Sequence, residues 1–271
     1  MNADPYVPYC GIPPIPGHLT WNLDPVLIAV LVAVPVLYAV GARVQPSDTQ
    51  RRSCFYIGWA ILVAALVSPL CNLSVALFSA RVAQHMLLTL VAAPLIVLGQ
   101  PGRMLLPMLS KGASLRLPQV RSGVLPIAAT AGFAFSLWAW HLPGSYDATL
   151  RSDVVYWSMH VTTLGSAMLL WHALFDRFGG LSSALLIGFG TTVQMSLLSA
   201  LLTLAPRPLF VSHFGTTWPW GLSPLEDQQL GGVIMWTVGG TLFTAIGVLA
   251  FGAWLKSLAT DGATGQAARA P

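Results

Sequence analysis

Apolar runs close to 20 residues long recur along the whole chain, and this fixes the class of fold before any motif is considered. Only 8% of the 271 residues are charged, 55% are hydrophobic and the mean hydropathy is +0.70. A soluble domain carries roughly 25% charged residues. The composition therefore points to a membrane protein, and the repetition of the runs rules out one anchor attached to a globular domain. Seven segments are long enough to cross about 30 Å of hydrocarbon: approximately 25–42, 54–71, 82–99, 124–141, 154–174, 182–204 and 227–254. Lipid cannot satisfy open sheet edges, and no strict alternation suggests a barrel, so the expected architecture is an all-α bundle of seven transmembrane helices. Residues 1–24 then form a Pro-rich extracytoplasmic tail, 25–254 the helical domain, and 255–271 a cytoplasmic tail expected to be disordered.

Local signals mark two helix ends. Asp24-Pro25 offers an acceptor at the N-cap and a proline at the first helical position. Ser223-Pro224-Leu225-Glu226 reads as a capping box that starts the last helix. Pro35 and Pro94 fall inside spans and are expected to kink them. On the sixth span Ala184, Gly188, Thr192, Ser196 and Ala200 recur every four residues, a stripe suited to close helix packing.

Orientation follows from the basic residues. With the N-terminus outside, the inner side holds Arg43, Arg51, Arg52, Arg103, Lys111, Arg116, Arg121, Arg177, Lys256 and Arg269, and the outer side only Arg81, Arg151 and Arg207. This positive-inside bias places the C-terminus on the cytoplasmic side. The net charge of +4 is spread over these short loops, so topology accounts for it better than nucleic acid does. The N-terminal stretch has neither a basic n-region nor an apolar h-region, unlike a signal peptide. Cys10, Cys54 and Cys71 show no metal-binding spacing. They read as incidental, although a Cys10–Cys71 disulfide is conceivable if both face an oxidising compartment.

In this topology His85, His141 and His160 fall at similar depths near the outer face. His85 lies about 6 Å along its helix from Arg81, and His160 about 10 Å inward from the start of the fifth span near Asp153. Ionisable groups at such depth are expensive and mark candidate functional sites. Met86 adjoins His85 and Met159 adjoins His160. Imidazole with thioether suits copper, Cu(I) above all. Each histidine also has a bland reading, as an interhelical hydrogen bonder or a member of the aromatic belt, and the methionines as core filler. Adjacent helical residues point about 100° apart, so His85 and Met86 do not share a face. A b-type haem held between His85 and His160 is an alternative. A channel or transporter lacks a mid-span acid or basic ladder, and no nucleophile–base–acid set or phosphate loop points to an enzyme.

Several stretches together resemble a known family. They are Trp21-Asn22-Leu23-Asp24-Pro25, Gln84-His85-Met86-Leu87-Leu88 with Pro94-Leu95 and Gly99-Gln100-Pro101, and Trp138-Ala139-Trp140-His141-Leu142-Pro143 with Tyr146-Asp147. His160, Asp227-Gln228-Gln229-Leu230-Gly231-Gly232 and Trp236 complete the pattern. From about residue 20 to 255 the chain resembles the multi-spanning CtaG family of cytochrome c oxidase assembly proteins. The resemblance implies a non-enzymatic role in maturing a haem–copper oxidase, plausibly by handling copper. Its partners would be oxidase subunits, the bilayer and a soluble copper donor. The metal ligands would be His85, His141 and His160, with Met86 or Met159 as soft additions, and Asp147 and Asp227 would support the site or dock a partner. A non-metal scaffold for oxidase subunits is the other reading of that role. The family often carries an acid just before the histidine of span five, where this chain has Met159.

Overall fold

The computed structural model describes residues 6–45, 48–109, 124–175 and 180–267. Lys111, Arg116, Arg121, Arg177 and Arg269, five of the basic residues assigned to the inner side, lie outside the described residues. All regular structure among the described residues is helical. The helices are α1 (Pro25–Val44), α2 (Thr49–Val67), α3 (Pro69–Ala76), α4 (Phe78–Leu98), α5 (Pro101–Leu109), α6 (Val124–His141), α7 (Pro143–Thr149), α8 (Asp153–Phe175), α9 (Gly180–Leu204) and α10 (residues 224–267). Two of them carry π turns, α4 at Leu87–Ala92 and α10 at Met235–Gly240.

Five segments are long and apolar enough to cross a membrane: α1, α4, α6, Ser183–Leu204 of α9 and Pro224–Lys256 of α10. The pair α2 and α3, bent by 48°, makes a sixth if it counts as one span. The sequence leads to an expectation of seven spans, and α8 accounts for the difference. It has 23 residues, but Ser158, His160, Thr162, Thr163 and Ser166 dilute its apolar character. The last helix runs on to Ala267, past the expected end of span seven.

Both expected caps form. Asp24 accepts a hydrogen bond from the Leu27 N–H at 2.8 Å, with Pro25 opening α1. Ser223 and Glu226 make the reciprocal pair that opens α10. Pro94 directly follows the π turn of α4, so its missing N–H falls where the ladder is already interrupted.

The bundle is built around α4. Its span is 61% buried, against 28–39% for the other four. One face, with Phe78, Val82, Met86 and Leu90, packs with Phe133 and Leu137 of α6, Tyr156 and Met159 of α8, and Leu198 and Leu202 of α9. Leu88, Ala92 and Ile96 pack instead with Tyr38 of α1 and Phe55 and Leu62 of α2. Val30, Phe135, Val193, Leu201 and Leu249 remain exposed, as apolar side chains do where the surrounding solvent is lipid. The small stripe of α9 meets α10, where a Cβ on Gly188 would stand 2.7 Å from Gly247 Cα and N. Thr192 and Thr244 hydroxyls lie 3.5 Å apart in the same seam.

One end of the bundle gathers the N-terminal tail and the connections at 69–78, 142–152 and 205–223. Asn72 Nδ2 donates to the Cys10 and Ile12 carbonyls, Trp220 Nε1 to the Pro14 carbonyl, and the Ser212 N–H to Asp147. The opposite end joins 41–52 to 99–104 through Tyr38 Oη to the Gly99 carbonyl and Arg51 to Gln100. The cysteines are not incidental as a set. Cys10 and Cys71 form a disulfide with Cα atoms 5.4 Å apart, pinning the tail to the start of α3, while Cys54 is free.

His213 locks the last connection. Its Nδ1–H donates to the Ala76 carbonyl at 3.1 Å and its Nε2 accepts from the Tyr146 hydroxyl at 2.7 Å. Burial first, and then the Arg81 charge, hold its pKa down to about 3, and burial raises that of Tyr146 well above the usual phenol value.

Three expectations follow for the purified protein in detergent. Thiol labelling of the unreduced chain should modify Cys54 alone, and all three cysteines after reduction. Cys71→Ser should lower stability by about 2–4 kcal/mol. In thermal unfolding Gly188→Val should cost about 1–3 kcal/mol by overpacking. Gly165→Ala, where a Cβ meets nothing within 4 Å, should be neutral or slightly stabilising. Because His213 binds its proton more readily unfolded than folded, it contributes a loss of stability as pH falls from about 6.5 toward 3. A His213→Asn variant should be less stable at pH 7 and show a shallower decline over that window; an unchanged decline would count against the buried neutral imidazole.

Candidate histidine site within the bundle

The N-terminus of α4 carries no cap of its own, since Leu77 precedes it. Asp227 of α10 supplies one from across the bundle. Its carboxylate is fully buried and accepts from the Phe78 N–H at 2.6 Å, the Ser79 N–H at 3.2 Å and the Ser79 hydroxyl at 2.5 Å. This contact positions the first turns of α4, and with them Arg81 and His85. These two lie four residues apart and so share a helix face.

On α8, Tyr156 and His160 repeat that spacing. The His85 and His160 rings meet edge to face with centroids 5.3 Å apart, and each residue is 5% exposed. His160 Nδ1 lies 3.0 Å from the Tyr156 carbonyl and His141 Nδ1 2.7 Å from the Leu137 carbonyl. A carbonyl only accepts, so Nδ1 carries the proton in both rings and Nε2 presents a lone pair. Metal-binding imidazoles are commonly oriented in this way. Among the described residues, Nε2 of His85 and Nε2 of His160 are buried with no hydrogen-bond partner.

Aromatic side chains close the site. The Tyr156 ring lies 4.2 Å from that of His160 and stacks on Tyr9 of the tail at 4.9 Å. The Tyr156 hydroxyl reaches Cys10 Sγ at 3.2 Å and Cys71 Sγ at 3.6 Å. The disulfide therefore fastens the tail directly over the histidine pair.

The other expected site residues are placed as follows. His141, at the end of α6, stands edge-on to Phe78 at 6.1 Å. Met86 and Met159 are buried in the main apolar core. Asp147 accepts from the Ser212 N–H at 3.2 Å, and Asp227 is the cap just described. Among the described residues no three of His, Cys, Asp and Glu are grouped to hold a metal ion. The histidine pair is thus drawn together, while the carboxylates serve the backbone.

The sequence alone places Arg81 among the outer charges, but it is 1% exposed. Its Nη1 donates to Thr149 Oγ1 at 2.5 Å, and its Cζ lies 5.2 Å from the centre of the Tyr146 ring. The available signal was the repeated four-residue spacing, Arg81 to His85 and Tyr156 to His160. Tyr146 stood only within the family-like stretch, and Thr149 carried no signal of its own.

The chain matches the family model described as cytochrome c oxidase caa3 assembly factor (Caa3_CtaG) over residues 31–257. No curated protein and no solved structure matches the chain. The matched stretch contains α4, α6, α8 and the start of α10, and so every residue of the histidine site except the covering tail. By that match this multi-pass helical chain belongs to the cytochrome c oxidase caa3 assembly factor family.

Proposed function

We propose that this protein crosses the plasma membrane of a bacterial-type cell seven times, N-terminus outside, and handles copper for a haem–copper oxidase at the outer face. Family membership supports the assembly role and contact with oxidase subunits. The positive-inside distribution supports the orientation, with α2–α3 and α8 counted as spans. In that orientation the end bearing the disulfide and the histidine pair faces the oxidising compartment, where a disulfide persists.

The observation that carries the copper reading is the pair of buried, unpartnered Nε2 atoms on His85 and His160. A buried polar atom without a partner is costly, and a metal ion supplies what both atoms lack. These two residues would hold the ion, with His141 next in reach and Met86 or Met159 available only after local rearrangement. Copper bound there would be cargo, passed to the oxidase. The Arg81 charge one helical turn away penalises a divalent ion more than a monovalent one, which favours Cu(I). Two imidazoles make an incomplete site, and that suits a carrier that must release its metal. The haem alternative draws less support, because a porphyrin would have to push apart rings whose centroids are 5.3 Å from each other.

Metal analysis and absorption spectroscopy of the protein purified from copper-replete cells test this reading. We expect stoichiometric copper that is lost in the His85→Ala, His160→Ala double variant, together with loss of oxidase assembly in cells. A Soret band would transfer the site to haem. Copper-free wild-type protein, with the double variant still supporting assembly, would leave the scaffold role and sink the copper role.

A further inference from the structure

Arg81 is a buried cation with no counter-ion among the described residues. Asp227 spends its oxygens on Phe78 N–H, Ser79 N–H and the Ser79 hydroxyl, and Asp147 is turned to the Ser212 N–H. Nη1 is used by Thr149. Nε and Nη2 are buried and, among the described residues, have no partner. The position compounds the cost, since Arg81 sits near the N-terminal end of α4, where the helix dipole disfavours positive charge. A guanidinium buried without an anion is strongly destabilising. Yet the surroundings, Tyr146 over its face and Thr149 at one nitrogen, hold it in place.

The two unspent nitrogens are not arbitrary. Nε–H and one Nη2–H point the same way along a single edge of the guanidinium and match the two oxygens of a carboxylate. We propose that this edge of Arg81 is a binding site for a small carboxylate anion, of the size of formate or acetate. Nε and Nη2 are closely packed, so only a small anion, admitted as the side chains around Arg81 shift, is accommodated. The ligand supplies the negative charge that the chain withholds and completes the hydrogen bonding of the side chain. This site is carried by Arg81 alone and stands whether or not His85 and His160 take copper.

The test uses the full-length protein in detergent, treated with chelator so that copper occupancy has no influence. With 13C-labelled formate as probe, the wild-type protein should broaden the formate resonance. Excess unlabelled formate should restore the narrow line, whereas sodium chloride at equal ionic strength should not. Arg81→Met should abolish the broadening. Arg81→Lys, which keeps the charge and removes the fork, should lose most of it, and this second variant keeps the test open if Arg81→Met fails to fold. Formate should also raise the thermal midpoint of the wild type and leave that of Arg81→Met unchanged. The proposal is overturned by an unbroadened line with wild type, by broadening in either variant equal to wild type, or by displacement with chloride as effective as with formate.

Discussion

The contact on which most else rests is the Asp227 carboxylate closing the N-terminus of α4. A helix that begins inside the bundle leaves N–H groups unpaired, and lipid offers them nothing. Asp227 satisfies two of these groups and the Ser79 hydroxyl, linking the last long helix to the central one. With the start of α4 fixed, Phe78 stacks on Phe210 at 4.5 Å, and the next turn presents Arg81 and His85 to α7 and α8. Loss of that carboxylate would release the helix that both halves of the core share.

Much of the buried polar surface is spent on bonds between helices. Gln84 donates to the Ala65 carbonyl, Trp171 Nε1 to the Thr89 carbonyl and Gln228 Nε2 to the Leu202 carbonyl. Each such bond satisfies a buried donor and ties two helices together. Buried atoms without a partner also occur on Gln84, Gln194 and several Ser and Thr residues, but Arg81, His85 and His160 bring four of them into one small neighbourhood. Structures retain unsatisfied buried groups where function requires them more than stability does. Tyr156, Tyr9 and the disulfide lie over the histidine pair.

What could be read from the sequence was what neighbouring residues determine. Helical character followed from apolar run length, and the Asp24 and Ser223–Glu226 caps from three-residue spacings. Matched depth on two helices that both run inward from the outer face made a joint site of His85 and His160 possible, and the meeting of their rings at 5.3 Å came only with the structure. The features that escaped join distant stretches of the chain. Cys10 and Cys71 are 61 residues apart, and Asp227 reaches back about 150 residues to cap α4. An arginine near a helix end ordinarily reads as interfacial, so nothing local marked Arg81 as interior. The π turns leave the apolar pattern intact and gave no sign of themselves. The polar side chains of α8 were visible throughout. Their consequence, a helix less apolar than its neighbours, needed the structure to show that many of them bond along their own helix, as Ser158 does to the Val154 carbonyl and Thr162 to that of Ser158.

The covering tail has a consequence for biogenesis. It is synthesised before the helices it rests on, yet its fastenings arrive late and in sequence. Cys71 and Asn72 come first, then Asp153, which accepts from the Tyr6 hydroxyl, and finally Trp220, which donates to the Pro14 carbonyl. Until α8 has been inserted, the tail has no Tyr156 to rest on, and until residue 220 has followed, its last fastening is missing. A segment made before its supports is therefore finished after them, and the histidine pair is sealed only once the chain as far as Trp220 is in place.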